Sequence, residues 1–211
     1  MVKKVRVVAL IMAGGKGERF GKGVEKSMVK LLGKSFIRRV IEAAKESKNT
    51  SEVYVAVTTS NPKTAEEAAK AFAKVITADG RGYHADLQQA VLKANLNSPV
   101  LTISSDLPLL TGEFLDDIID KYEKSGKPAL IVLAPVESCY KHGLVPTSFY
   151  EHKGKRYAVS GINIIDGKQI TEEQPQEVIV STKPEAIFNI NTPDDLRAAE
   201  NYLLRSGTTS K

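Results

Sequence analysis

Hydrophobic and polar residues alternate along this chain in two distinct patterns. Short runs of β-branched and other apolar residues, such as 53–58 and 129–134, predict buried strands. Between these runs, apolar residues recur three or four positions apart, as they do over 36–47 behind Ser35, and predict amphipathic helices with polar caps. Because strand-like and helix-like segments take turns, we expect an α/β fold with a largely parallel sheet. The predicted strands cover 5–11, 53–58, 74–77, 99–104, 129–134, 158–165 and 177–181, followed by the apolar stretch 186–190, and the predicted helices begin near residues 36, 62, 84, 111 and 193.

Residues 135–157 are an exception, since they show no clear periodicity. We expect an elaborated loop there, of a length that is often functional. The chain has no internal repeat and no linker that would separate two domains. The sequence therefore predicts a single domain over residues 1–205 and a C-terminal tail over 206–211.

A glycine-rich segment follows the first predicted strand. Gly14, Gly15 and Gly17 lie close together, and glycine lets backbone N–H groups approach an anion without interference from a Cβ. Lys16, Arg19 and Lys26 add positive charge to the same segment. This combination favours a nucleoside triphosphate site over the simpler alternative, a flexible surface loop on a basic chain.

Two common glycine-rich motifs are excluded by residue type. A P-loop requires Ser or Thr after Gly-Lys, but Gly21-Lys22 is followed by Gly23. The dinucleotide motif G-x-G-x-x-G requires a third glycine where this chain has Phe20.

Asp106 is the carboxylate that most resembles a metal ligand. It follows the strand 99–104, at the end of a parallel strand where α/β sheets bind ligands. A carboxylate in that place is suited to Mg²⁺, although an Asx turn before Pro108 is the structural alternative. Asn189 and Asn191 offer a second polar group near a strand-to-helix turn, and we consider Asn191 as a further Mg²⁺ ligand.

Composition narrows the classes of partner. The chain has 211 residues and a formal net charge of +5, but its basic residues form no long block and aromatic residues make up 6%, so we expect no nucleic acid partner. No apolar run approaches the roughly 20 residues of a membrane span, and no stable membrane insertion is expected. With a single cysteine and no secretory signal, the cytoplasm is the expected compartment. Cys139 and His142 would supply only half a zinc site.

Several motifs together resemble the nucleotidyltransferase superfamily and, within it, the archaeal adenosylcobinamide-phosphate guanylyltransferases of cobalamin synthesis. The general signature is carried by Ile11-Met-Ala-Gly-Gly-Lys-Gly-Glu-Arg19 and Ser104-Ser-Asp-Leu107. The closer resemblance is carried by Gly23-Val-Glu-Lys26, Asp79-Gly-Arg-Gly-Tyr83 and Gly143-Leu-Val-Pro146. One departure is Ser27, since such enzymes commonly have proline after this lysine.

This resemblance implies a Rossmann-like mixed sheet flanked by helices, and transfer of GMP from GTP to a phosphorylated corrinoid acceptor with Mg²⁺ as cofactor. It implies catalytic roles for Lys16, Arg19, Lys26 and Asp106. A homodimer is compatible with the sequence. The implied nucleotide-binding residues are Met12, Ala13, Gly14, Gly15, Gly17, Asp79, Gly80, Gly82 and Ser105; the acceptor-binding residues are Gly143, Pro146, Gly161 and Asn163; and the metal ligands are Asp106 and Asn191.

Two alternatives stay open. In the first, the chain is another nucleotidyltransferase, and its acceptor is molybdopterin or a sugar phosphate. In the second, the chain is a nucleotide-binding regulatory domain and not an enzyme. The presence of Arg19, Lys26 and Asp106 together favours an enzyme.

Overall fold

A computed structural model describes residues 6–15, 17–21 and 23–207. Its strands are β1 (Val7–Met12), β2 (Lys30–Leu31), β3 (Lys34–Ser35), β4 (Thr50–Thr58), β5 (Lys74–Ala78), β6 (Pro99–Ser104), β7 (Ala129–Pro135), β8 (Phe149–His152), β9 (Lys155–Asp166) and β10 (Gln176–Val180). Its α-helices are α1 (Phe36–Glu46), α2 (Pro62–Lys70), α3 (Tyr83–Lys93), α4 (Gly112–Ser125), α5 (Val136–Lys141), α6 (Pro184–Ile187) and α7 (Pro193–Arg205).

An eight-stranded mixed sheet forms the centre of the fold. Seven strands follow the order β10-β7-β9-β6-β1-β4-β5, and β8 pairs with β9 outside that path. Strands β6, β1, β4 and β5 are parallel, whereas β9 runs antiparallel to both β6 and β7. The predicted α/β fold with a mostly parallel sheet is confirmed.

Both faces of the sheet are covered, which follows from the side-chain alternation of β1. Val7, Ala9 and Ile11 pack into the core formed with α1, α2 and α4, while Leu10 and Met12 point to the opposite face and pack with α3. Because both faces are buried, β1 is an almost continuous apolar run rather than an alternating one.

The predicted helix caps are present. Ser35 accepts a hydrogen bond from the Arg38 backbone amide, and Thr111 accepts one from that of Phe114. At the start of α7, Thr192 and Asp195 form a reciprocal capping box. These residues therefore have structural roles that account for their side chains.

The prediction of an elaborated loop over 135–157 was wrong. This segment contains α5 and β8, and β8 pairs with β9 through a tight turn in which Lys153 and Gly154 have positive φ. Six residues of helix and four of strand are too short to produce a readable period. The apolar stretch 186–190 is also not a strand, since it contains the end of α6 and the turn after it.

Among the described residues, no helix is long and apolar enough to cross a membrane.

Candidate functional site

The candidate site lies at the carboxyl ends of three neighbouring strands. β1 lies between β4 and β6, and Met12, its last residue, pairs with Ala56 on one side and with Ser104 on the other. The glycine-rich segment leaves β1 at this edge, and Asp106 follows β6 there. Because β1 and β6 are parallel, the glycine-rich segment and Asp106 meet at the same edge of the sheet.

Close packing explains two of the three glycines. A Cβ on Gly14 would lie 2.9 Å from Cγ2 of Thr58. Gly17 has a φ of +65°, and a Cβ there would lie 2.6 Å from the Val24 carbonyl oxygen and 2.8 Å from the Lys26 amide nitrogen. Gly15 has open space around it and is exposed. The segment thus packs against β4 on one side and against the backbone before Lys26 on the other.

Lys26 bridges two polar segments predicted from the sequence, one that contains Asp106 and one that contains Asn191. Its Nζ donates to Oδ2 of Asp106 at 2.5 Å and to Oδ1 of Asn191 at 2.8 Å. The side chains of Lys26 and Asp106 are each 16% exposed, so the ion pair is shielded but reachable from the cavity. Next to it, the buried hydroxyls of Ser27 and Ser105 lie 2.8 Å apart.

The second oxygen of Asp106 has the properties of a metal ligand. Oδ1 is buried and has no hydrogen-bond partner among the described residues. A buried carboxylate oxygen without a partner lowers the stability of the fold unless a ligand binds to it. No described group of three His, Cys, Asp or Glu side chains is arranged to hold a metal by itself. The arrangement fits Mg²⁺, which commonly uses one or two protein oxygens together with substrate phosphates and water.

A cavity of about 420 Å³ opens beside Lys26 and Asp106. Its walls come from the ends of β1, β4, β5 and β6 and from the start of α3. Of the predicted nucleotide-binding residues, Met12, Gly14, Gly15, Asp79, Gly80, Gly82 and Ser105 line it. Ala13 is buried behind the wall, Gly17 packs against 24–26, and Arg19 is exposed outside the lining. Lys16 lies outside the described residues.

The far wall of this cavity is a turn held by Asp86. One carboxylate oxygen, Oδ1, accepts from the backbone amides of Gly80 at 2.9 Å and Arg81 at 3.0 Å. The Asp79 carboxylate pairs with Arg81 at 3.2 Å, and hydrogen bonding with Gln89 is the main cause that lowers the pKa of Asp79. The wall thus presents an ionised carboxylate on a fixed backbone.

A second cavity, of about 650 Å³, lies on the other side of β6. It extends over β9 and β7 and is closed by the segment 144–148. Pro146, Gly161 and Asn163 line it, as the acceptor prediction requires, and so does Asn191. No lysine, arginine, aspartate or glutamate is among the described residues that line this cavity.

Gly143 lies away from this second cavity. It ends α5, where its φ is +75° and its amide donates to the Tyr140 carbonyl at 2.9 Å, and it faces α7. The structure therefore brings together three of the four predicted acceptor residues.

Tyr83 lines both cavities and separates them. Although 40% of the residue is exposed, burial of its hydroxyl end beside Thr102 and Asn163 raises the pKa of Tyr83. The phenol therefore stays protonated at neutral pH. The motif that contains Tyr83 is predicted to bind the nucleotide, but nothing local in the sequence indicates that the Tyr83 hydroxyl also reaches the second cavity.

The side chains of Cys139 and His142 lie in different surroundings. Cys139 is buried against the second cavity, and burial raises the pKa of its thiol to about 11. The His142 ring packs against Phe188 and Tyr202, with ring centroids 5.2 and 5.6 Å away. The two side chains form no metal site.

Comparisons with known proteins show the family to which the chain belongs. The family model described as "MobA-like NTP transferase domain" matches residues 9–156. The chain is 36% identical to the adenosylcobinamide-phosphate guanylyltransferase of Methanocaldococcus jannaschii, over 94% of this chain and 98% of that protein. It is 26% identical to a probable molybdenum cofactor guanylyltransferase of Thermococcus gammatolerans, over 90% of this chain and 97% of that protein.

Solved structures share the fold at low sequence identity. A CMP:2-keto-3-deoxy-manno-octonic acid synthetase complexed with CTP superposes with a TM-score of 0.68 at 16% identity, covering 95% of this chain and 99% of the other. A 4-diphosphocytidyl-2C-methyl-D-erythritol synthase from Anaerococcus prevotii gives a TM-score of 0.68 at 14% identity, covering 96% and 97%. These structures establish the architecture, and the sequence relatives establish the family.

Proposed function

The chain belongs to the MobA-like NTP transferase family, and from this premise we propose that it transfers GMP from GTP to adenosylcobinamide phosphate. The products are adenosylcobinamide-GDP and pyrophosphate. In the reaction, an oxygen of the acceptor phosphate attacks the α-phosphorus of GTP, and the bond between that phosphorus and the oxygen bridging to the β-phosphate breaks.

The nucleotide belongs in the smaller cavity. Its glycine-rich wall offers backbone amides to the phosphates, and Lys26 stands where it neutralises charge on the α-phosphate. Arg19, and Lys16 outside the described residues, are assigned to the departing phosphates. Asp79 and the turn behind it face the base and ribose. GTP is supported as the nucleotide by two relatives that are named guanylyltransferases.

The absence of Lys, Arg, Asp and Glu from the described lining of the larger cavity is the observation that favours a corrinoid acceptor. A cobinamide carries neutral carboxamides on an apolar macrocycle, and the lining offers apolar residues together with the amides of Asn163 and Gln176. A cavity of about 650 Å³ accommodates only part of so large a molecule. We assign the cavity to the phosphate-bearing arm, with the phosphate directed towards Asn191 and Lys26.

We assign Mg²⁺ to Asp106 Oδ1, with Asn191 as the second protein ligand. The ion supplies positive charge to the phosphate oxygens when bound. The amide oxygen of Asn191 accepts one hydrogen bond from Lys26 and has a second lone pair with which it would hold the ion.

We place the reaction in the cytoplasm, where GTP is made. A homodimer and the boundary of the domain at residue 205 stay predictions.

Pyrophosphate release tests the proposal. GTP, ATP, CTP and UTP are each supplied with Mg²⁺, alone and together with adenosylcobinamide phosphate, molybdopterin or glucose 1-phosphate. We expect release that requires both GTP and the corrinoid. Release with molybdopterin or the sugar phosphate instead would show that this compound, and not the corrinoid, is the acceptor. GTP binding without release in any combination would favour a regulatory domain.

A further inference from the structure

The proposed phosphate site is formed by the glycine-rich segment and by the segment that carries Lys26. Both segments contact the same corner of the fold, which consists of the turn and helix start at residues 58–64. We infer that this corner positions the glycine-rich segment through Asn61 and positions Lys26 through Glu25. Both are positioning residues, and the inference rests on the proposed nucleotidyl transfer.

Asn61 holds the glycine-rich segment. Its side chain is buried, with 1% exposed. Nδ2 donates to the Gly15 carbonyl at 3.3 Å, and Oδ1 accepts from the Thr58 hydroxyl at 2.7 Å. The residue therefore fixes the backbone of the segment next to the point where Gly14 packs on Thr58.

Because the Asn61 side chain bonds to the glycine-rich segment, it does not cap α2, the helix that it precedes. It occupies the N-cap position of α2, where asparagine is among the preferred residues because its side chain caps free amides. Here the side chain makes no capping hydrogen bond. The amides at the start of α2 are left for another partner.

Glu25 supplies that partner from the segment that carries Lys26. Its carboxylate accepts from the amides of Lys63 at 3.0 Å and Thr64 at 2.7 Å, and from the Thr64 hydroxyl at 2.7 Å. Carboxylates are stabilised at helix N-termini, and the Thr64 side chain is fully buried. Since Lys26 is the next residue, the helix start fixes the backbone from which its ammonium extends.

Because Glu25 rather than Asn61 caps α2, a positioning role for these residues can be distinguished by experiment from a merely structural one. If Glu25 is removed, Asn61 keeps its bonds to Gly15 and Thr58 and water can reach the exposed Lys63 amide, so we expect the glycine-rich segment to stay in place while the backbone before Lys26 becomes less fixed. The two attachments also act on different parts of the reaction, since the glycine-rich segment binds the phosphates in the ground state whereas Lys26 contributes mostly to the transition state at the α-phosphorus.

The experiment compares Asn61→Ala, Glu25→Ala and the wild-type protein, with Glu66→Ala as the control. Glu66 lies on the same helix and, among the residues that the structure describes, forms an exposed pair with Lys70. GTP affinity is measured by calorimetry without acceptor, and turnover by pyrophosphate release. We expect Asn61→Ala to weaken GTP binding about tenfold, as for one lost buried hydrogen bond. We expect Glu25→Ala to lower kcat about tenfold while GTP affinity changes by less than about threefold.

Hydrogen exchange gives a second readout for Glu25 that needs no acceptor. Backbone amides of 23–28 should exchange faster in Glu25→Ala than in the wild-type protein, and Glu25→Asp should restore part of the protection. Unchanged exchange, wild-type GTP affinity in Asn61→Ala, or an equal loss in Glu66→Ala would overturn the inference. If the wild-type protein binds GTP but rejects the corrinoid, the acceptor assignment fails, while the calorimetry and exchange still decide the positioning roles.

Discussion

Replacing Lys26 with methionine should remove most of the catalytic acceleration while leaving the fold intact. Methionine keeps much of the length and apolar stem of lysine but cannot carry charge. In the free protein the change leaves Asp106 without its 2.5 Å partner. Because that carboxylate is reachable from the cavity, water can replace the ammonium, and we expect a loss of about 1 kcal/mol in the free energy of unfolding.

The magnitude follows from the charge that Lys26, in the proposed function, places beside the α-phosphate. A unit charge about 4 Å from another is worth about 4 kcal/mol at an effective dielectric constant near 20. Removal of one fixed donor from a developing anion typically costs about 3–4 kcal/mol, which corresponds to a loss of roughly 10²–10³-fold in kcat. Part of this charge interaction exists already with bound GTP, so GTP affinity should also fall, by about tenfold.

The assay is pyrophosphate release under saturating GTP and acceptor, together with a thermal melt. Lys30→Met is the matched control, since Lys30 is exposed and lies only four positions along the chain. The melting temperature of Lys26→Met should fall by about 2–4 °C. A loss of less than tenfold in kcat, or an equal loss in Lys30→Met, would refute the assignment of Lys26.

Three further changes test other parts of the structure. At pH 8 the Cys139 thiol, with its pKa raised to about 11, should react with a disulfide reagent on the order of 10²-fold more slowly in the native protein than after unfolding, and equal rates would contradict its burial. Gly161→Ala should lower the free energy of unfolding by more than about 2 kcal/mol, because φ is +91° and the new Cβ would lie 2.6 Å from a side-chain oxygen; Gly154→Ala, with positive φ but open space, should cost only about 1 kcal/mol in the same denaturation experiment. Thr192→Ala should cost about 1 kcal/mol through the lost cap of α7, and an unchanged denaturant midpoint would count against that role.

The parts of the fold that depend on local pattern were predictable. The caps at Ser35, Thr111 and Thr192 are decided by hydrogen bonds within three residues along the chain, so the sequence contains the whole interaction. The meeting of the glycine-rich segment with Asp106 was predictable because parallel strands direct their carboxyl ends to one edge.

The cavity of about 650 Å³ was harder to predict because it depends on long-range pairing. Its floor is formed by β9, which runs antiparallel between β6 and β7, and no local pattern states that order. Gly143 illustrates the limit: its motif predicted acceptor contact, but the turn that ends α5 directs it towards α7. The capping of α2 by Glu25 was missed for the same reason, since the two partners are 38 and 39 residues apart in sequence.

The most direct test of the central claim follows the phosphorus atoms of GTP. Adenosylcobinamide phosphate is incubated with the protein and with GTP labelled at either the α- or the γ-phosphate, and the corrinoid is separated and counted. We expect α-label in the corrinoid and γ-label only in pyrophosphate. A corrinoid that carries γ-label, or no label from either GTP, would contradict nucleotidyl transfer to this acceptor.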